Sequence, residues 1–139
     1  MSQAQAERTV LEVAAGLLRD ADRVLVCQRS ERGAHPGRWE FPGGKLEAGE
    51  TARACLVREL KEELSIDAEV GDLLHVVDFE YPMGPRVRIQ FFAVPAWRGT
   101  IENRVFARIV WQPLSRLLEL DFLQADVPLV TRLAGGRGG

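Results

Sequence analysis

The sequence has little of what would tie it to an oxidising compartment or a membrane. It carries two cysteines, Cys27 and Cys55, in 139 residues, too few for a disulfide framework. Cys27 lies in a strand-like run and Cys55 in a helix-like one, so both read as small buried thiols. No apolar run approaches the ~20 residues that span a bilayer. The opening, Met1 to Arg8, lacks the basic start and long apolar core of a signal peptide. The expectation is a cytoplasmic protein with no membrane partner. Excess positive charge is missing as well: Lys plus Arg is 18 against 20 for Asp plus Glu, a net charge of -2. That balance argues against duplex nucleic acid as a partner. It leaves room for a small anionic ligand, because a metal or a few local cations can reverse the field inside a pocket. His35 and His75 have no metal-ligating neighbours in sequence and read as structural or surface residues.

What is present fits one domain over 1–139, with enough apolar content (46%) for one sizeable core. Thr9 to Leu18 and Arg23 to Arg29 read as a strand hairpin about the polar turn Arg19-Asp20-Ala21-Asp22, the second strand buried on both faces. Trp39-Glu40-Phe41 reads as a short strand broken by Pro42-Gly43-Gly44. A helix is predicted over 51–64, with Thr51 as its cap and Leu56, Val57, Leu60 and Leu64 as its apolar stripe. Ala68 to Tyr81 and Arg86 to Trp97 form a long hairpin turned by Pro82-Met83-Gly84-Pro85. Phe106 to Trp111 is a further strand, Pro113 to Leu118 a helical turn, and Ala125 to Leu133 a closing helix. The glycine-rich end, Ala134 to Gly139, reads as a flexible tail. Strands, helix, strands and helix give an α+β class, with an α/β/α sandwich around a mixed β-sheet.

The informative stretch is the predicted helix and the glycine turn before it. Glu59, Glu62 and Glu63 fall within about a third of the helix circumference. Like charges so placed repel by a few tenths of a kcal/mol per pair, and they crowd a helix C-terminus, where the macrodipole disfavours negative charge. A solvated acidic face is the ordinary explanation of such a run. Against it, Ala52 and Cys55 on the same face are small and leave space beside the acids, and Gly43-Gly44 can bring bare backbone to a ligand. An oxygen-only cluster suits a hard divalent cation such as magnesium or manganese, which shares its coordination with phosphates.

Gly44, Glu50, Arg58, Glu59, Leu60, Glu62, Glu63 and Ile66 fall on the specified positions of the Nudix box. The segment resembles that of Nudix hydrolases, with one departure: Ser65 stands where the family has the glycine that ends the helix in a left-handed conformation. Gln28-Arg29, Trp39 to Lys45, Trp97, Trp111 and Ala125 to Leu129 extend the resemblance to MutT-type and CTP pyrophosphohydrolase-type members over nearly the whole chain. It implies a Nudix fold and hydrolysis of a (deoxy)nucleoside triphosphate, including oxidised or cytidine nucleotides, to monophosphate and pyrophosphate. Glu59, Glu62, Glu63 and the Gly43 carbonyl would hold Mg2+ or Mn2+. Arg58 would fix a carboxylate from behind, with Glu50 in a similar supporting role.

Arg29 and Lys45 are candidates for phosphate contacts, with plain surface charge as the even alternative. Trp39 and Phe41 are candidates for an aromatic slot, with a core role as the alternative. The resemblance places Asp126 on the base edge, and a helix cap is the alternative. A carboxylate there accepts hydrogen bonds and favours the amino-bearing edge of cytosine or guanine. The loop that carries a further glutamate in many MutT-type relatives here has Val105 and Ala107, with Glu102 displaced. The general base is therefore assigned to Glu59 first and Glu62 second. Two other readings stay open: a non-catalytic nucleotide sensor, and a hydrolase of ADP-ribose or dinucleoside polyphosphates. The assembly is a monomer or a homodimer.

Overall fold

The computed structural model describes residues 10–135. Strands β1 (Val10–Asp20) and β2 (Arg23–Gln28) are joined by a tight turn at Ala21, whose φ is 56°. They are antiparallel, with Arg19 opposite Val24. Beyond that short hairpin the two strands part, and each finds other partners. β1 runs parallel to β7 (Arg86–Val94) from Val10 opposite Arg86 to Leu18 opposite Val94. β7 pairs antiparallel with the edge strand β6 (Leu73–Glu80), and β2 with β3 (Trp39–Glu40) and β9 (Arg108–Pro113). One parallel ladder among antiparallel ones makes the sheet mixed, as expected. β5 (Asp67–Glu69) and β8 (Ala96–Arg98) form a separate two-stranded ribbon, so the predicted long hairpin is interrupted at Val70–Asp72 and at Pro95.

Gly43 and Gly44 do not break the structure. They belong to a strand, β4 (Gly43–Lys45), that pairs antiparallel with Val13 to Ala15 of β1. The partner is remote in sequence, and local composition gives no hint of it.

A helix packs on each face of the sheet, giving the α/β/α sandwich. Helix α1 (Ala52–Leu64) starts at Thr51, whose hydroxyl accepts from the Ala54 N–H at 3.1 Å. Its buried residues are Cys55, Leu56, Leu60 and Leu64, packed on Ala14, Leu18, Leu25 and Phe92. Val57 was expected in this stripe but is 41% exposed; it lies about 100° round the helix from Leu56, off the face the sheet covers. Gly16 of β1 admits the helix closely: a Cβ there would meet Val94 at 3.0 Å and Leu56 at 3.4 Å.

The other face is covered by a 3-10 segment (Leu114–Glu119), a 3-10 turn (Gln124–Asp126) and helix α2 (Val127–Ala134). Leu117, Leu129 and Val130 pack there on Val24, Val26, Phe91 and Phe41. Ala134 is helical and Gly135 caps the helix end, so the proposed tail does not begin at Ala134; its residues 136–139 lie outside the described residues. Leu60 is fully buried at the centre of its layer. Leu60→Ala is expected to lower stability by about 3 kcal/mol through lost burial and a residual cavity, read as a lower urea midpoint with an unchanged slope.

Candidate active site

The site is assembled where β4 passes beneath the last turns of α1. Gly43 has φ +151°, and its N–H donates to Glu63 Oε1 at 3.1 Å. A Cβ on Gly43 would run into the Ala14 carbonyl and lie 2.7 Å from Ala15 Cα. On Gly44 a Cβ would fall 2.6 and 2.7 Å from the two oxygens of Glu59. The bare backbone at Gly44 is therefore a cradle for a carboxylate.

Arg58 ties the helix to the loop before it. Its Nε and Nη2 donate to Glu50 Oε2 and Oε1 at 2.8 and 2.9 Å. Nη1 donates to Glu59 Oε2 at 2.9 Å, and Nη2 to the Lys45 carbonyl at 3.1 Å. Planar bidentate geometry of this kind is specific to arginine. The Arg58 hydrogen bonds and the Glu47 N–H hold the Glu50 carboxyl at about 2. Cys55 is buried behind the cluster, with its thiol 3.4 Å from the Gly44 carbonyl. Burial, foremost, and then nearby Glu50 raise that thiol to about 11, which leaves it inert as a nucleophile.

Glu59 and Glu63 come together as their spacing implies. Glu63 is pushed well above the ordinary carboxyl range, first by burial and then by its hydrogen bond and charge contact with Glu59. Two carboxylates in contact cannot both ionise cheaply without a cation. Glu62 stands apart, 59% exposed and 3.6 Å from Arg58 Nη1. Among the described residues, no three acidic, histidine or cysteine side chains close on one point. The pair on its glycine cradle, with Glu62 one short side-chain swing away, is an all-oxygen donor set. That chemistry fits a hard divalent cation whose remaining positions go to water and phosphate.

The pair opens into a cavity of about 790 Å³, within the range of small-molecule sites. Gly43, Gly44, Lys45 and Glu63 line one part, Tyr81 and Asp126 another, and Leu11, Val13, Val87 and Ile89 give an apolar wall. Arg29 and Phe41 also line it. Asp126 is 3% exposed and makes no capping bond to α2. Its carboxyl instead accepts from the Phe41 N–H, and burial, with the charge of Glu40, raises its proton affinity strongly. A carboxyl kept neutral in this way donates as well as accepts. Trp39 is buried in the core beneath the Arg108 guanidinium, 5.2 Å from its ring centre, and is not part of the cavity lining.

Glu40 was missing from the sequence-derived candidates. It lines the cavity, and Arg29 Nη1 bonds both its oxygens at 3.0 and 3.1 Å. Its position between Trp39 and Phe41 was the available signal. In a strand whose flanking aromatics both turn inward, an intervening carboxylate needs a polar cavity or a cation. Of the loop expected to lack an acid, Val105 lines the cavity, while Glu102 is 63% exposed and pairs with Arg104. The same loop closes the end of α1: Glu102 and Arg104 N–H groups donate to the Leu64 and Glu63 carbonyls at 2.9 and 3.0 Å, satisfying acceptors a helix end otherwise leaves open. Ser65 takes the left-handed conformation of the missing glycine, φ 64° and ψ 31°. Its hydroxyl accepts from Arg104 at 3.3 Å.

The NUDIX domain family model matches residues 9–133. The chain belongs to the Nudix family. It is 34% identical over 122 residues to the CTP pyrophosphohydrolase of Escherichia coli strain K12, covering 87% of this chain and 89% of that one. With the 8-oxo-dGTP diphosphatase of the same organism it shares 32% identity over 124 residues, 88% and 95% of the two chains. The solution structure of the E. coli ORF135 protein superposes with a TM-score of 0.82 at 32% identity, over 95% of this chain and 96% of that one. The MutT protein from Methanosarcina mazei Go1, at 22% identity and TM-score 0.83 over 96% and 99% of the chains, shares the fold. Nudix hydrolases generally use divalent metals, in keeping with the donor set beneath α1. Among the described residues, no helix is long and apolar enough to cross a membrane.

Proposed function

We propose that this Nudix hydrolase cleaves nucleoside triphosphates to a nucleoside monophosphate and pyrophosphate, with Mg2+ as its cation and Mn2+ as a substitute. The observation that carries the reading is the Glu59–Glu63 pair, seated over Gly44 in the same cavity as the buried Asp126. One end of that cavity suits a cation and phosphates, the other a base edge. Bound there, the cation neutralises phosphate charge and lowers the pKa of water. The chain's part is to hold Glu59 by Arg58 and Glu63 by the Gly43 N–H, so that one carboxylate is placed to accept the proton of attacking water. We assign that role to Glu59 first and Glu62 second. Lys45 and Arg29 face the same space and are suited to phosphate oxygens. The names of the relatives, CTP pyrophosphohydrolase and 8-oxo-dGTP diphosphatase, support cytidine or oxidised guanine nucleotides as substrates. A neutral Asp126 matches either base, because each presents a donor beside an acceptor. The reading places the enzyme in the cytoplasm, as a monomer or homodimer.

The test is incubation with magnesium and a panel of ribo- and deoxynucleoside triphosphates, oxidised nucleotides, ADP-ribose and a dinucleoside tetraphosphate, with the products identified. Monophosphate plus pyrophosphate is the expected outcome. Turnover of ADP-ribose alone would replace this reading. Val105 at the usual position of a loop acid favours one rival, a nucleotide sensor; binding of nucleotide with no turnover of any compound would establish it. Asp126→Ala is expected to raise KM for the preferred nucleotide by roughly tenfold or more with a smaller effect on kcat, as for lost base binding.

A further inference from the structure

The buried ion pair Arg29–Glu40 has no part in the reading above beyond the phosphate role suited to Arg29. Its position gives it another task. Glu40 raises the proton affinity of Glu63 and, separately, that of Asp126. It is thus within electrostatic reach of both functional ends of the cavity. The backbone agrees: the Phe41 N–H serves Asp126 and the Gly43 N–H serves Glu63, so the chain leaving Glu40 passes from one end to the other. A nucleotide with its base at Asp126 and its phosphates at Glu59 and Glu63 carries its sugar past Glu40.

The chemistry of Glu40 suits a diol. Its side chain is 19% exposed and its oxygens both face a single nitrogen, Arg29 Nη1. A carboxylate offers about four acceptor sites, so acceptor capacity is left over. Arg29 is itself anchored by its Nε to the Ala34 carbonyl at 2.8 Å, which fixes the pair in one orientation. A fixed carboxylate with spare lone pairs complements two adjacent hydroxyl donors, and ribose presents such a pair where deoxyribose presents one.

We propose that Glu40, held by Arg29, reads the sugar and makes this enzyme prefer ribonucleotides to deoxyribonucleotides. The inference rests on the nucleotide reading of the cavity. Glu40 is a specificity-determining residue and takes no part in the bond cleavage. A hydrogen bond to a charged group, made with one sugar and not the other, discriminates by about tenfold or more.

The experiment compares kcat/KM for CTP with dCTP, and for GTP with dGTP, in the parent and in Glu40→Gln. The amide keeps the shape but replaces one acceptor oxygen by a donor. The parent should favour the ribonucleotide of the better-used base by about tenfold or more, carried in KM. Glu40→Gln should bring the ratio close to one, mainly by raising KM for the ribonucleotide. A structural ion pair would change both sugars alike, so an unaltered ratio overturns the assignment, as does a parent that prefers deoxyribose. Inhibition or binding of the parent by CMP against dCMP, and GMP against dGMP, gives a second measurement that needs no variant. A ribose preference there supports the proposal even if Glu40→Gln does not fold, and equal affinities overturn it. If no triphosphate is hydrolysed but the monophosphates still divide by sugar, the hydrolase reading fails while the role of Glu40 stands.

Discussion

Glu63→Gln lowers kcat by on the order of 10³-fold and moves the thermal midpoint by no more than about 3 °C. The two halves of this expectation have separate causes. The amide preserves shape and can still accept from the Gly43 N–H, now at 3.1 Å from Oε1. It also removes the enforced contact between two acids that raises the proton affinity of Glu63, so the metal-free fold has little to lose. The charge that would anchor a cation is gone, however, and transition-state stabilisation of several kcal/mol depends on it. Steady-state pyrophosphate release and a melting curve on the same sample measure both. Glu62→Gln should also slow the reaction by orders of magnitude, although Glu62 rests on Arg58 in the structure. Near-parental rates in both variants would remove the metal assignment.

Gly44→Ala and Gly43→Ala should fail in different ways. At Gly44 the new methyl lands on the Glu59 carboxylate, and what must yield is a side chain. The Arg58 clamp on Glu59 resists that movement, so Glu59 is displaced by the order of an ångström while the backbone stays. Misplacement on that scale costs about 10²-fold in rate, with folding largely kept. At Gly43 the methyl meets the Ala14 carbonyl and Ala15 Cα, which are backbone atoms of the central strand, and φ +151° is a conformation alanine avoids. That variant should lose β1–β4 pairing and fold poorly. Soluble yield and circular dichroism separate the two. A fully active Gly44→Ala would show that Glu59 is not held where the structure places it.

The helix was legible because its signals are local: a threonine cap, leucines recurring on one face, and glutamates at spacings a single helix enforces. Even so, Val57 lay beyond reach, since periodicity places a residue on the stripe but does not say how wide a strip the sheet covers. Gly43 and Gly44 were legible as a close approach of backbone, and misread as a break, because their strand partner lies at Val13 to Ala15. Glycine carries no alternation of its own to reveal such pairing. Asp126 shows the same limit. Its sequence neighbourhood, just ahead of Val127-Pro128, is that of a helix cap, and only the approach of Phe41 from a distant strand turns it into a buried cavity group. Glu40 was overlooked for a related reason: its partner Arg29 sits across a loop, and in a short strand reading a charge is assigned to solvent by default.

The parallel ladder between β1 and β7 sets an order of events during synthesis. Val10 must find Arg86, and Leu18 must find Val94, so the first long strand to leave the ribosome waits for most of the chain before its longest partner exists. Distant pairing of this kind slows folding and leaves apolar surface open meanwhile. Nascent chains ending before Val94 should therefore be chaperone clients, and the cradle at Gly43 and Gly44, which leans on that strand, is completed only after translation has passed it.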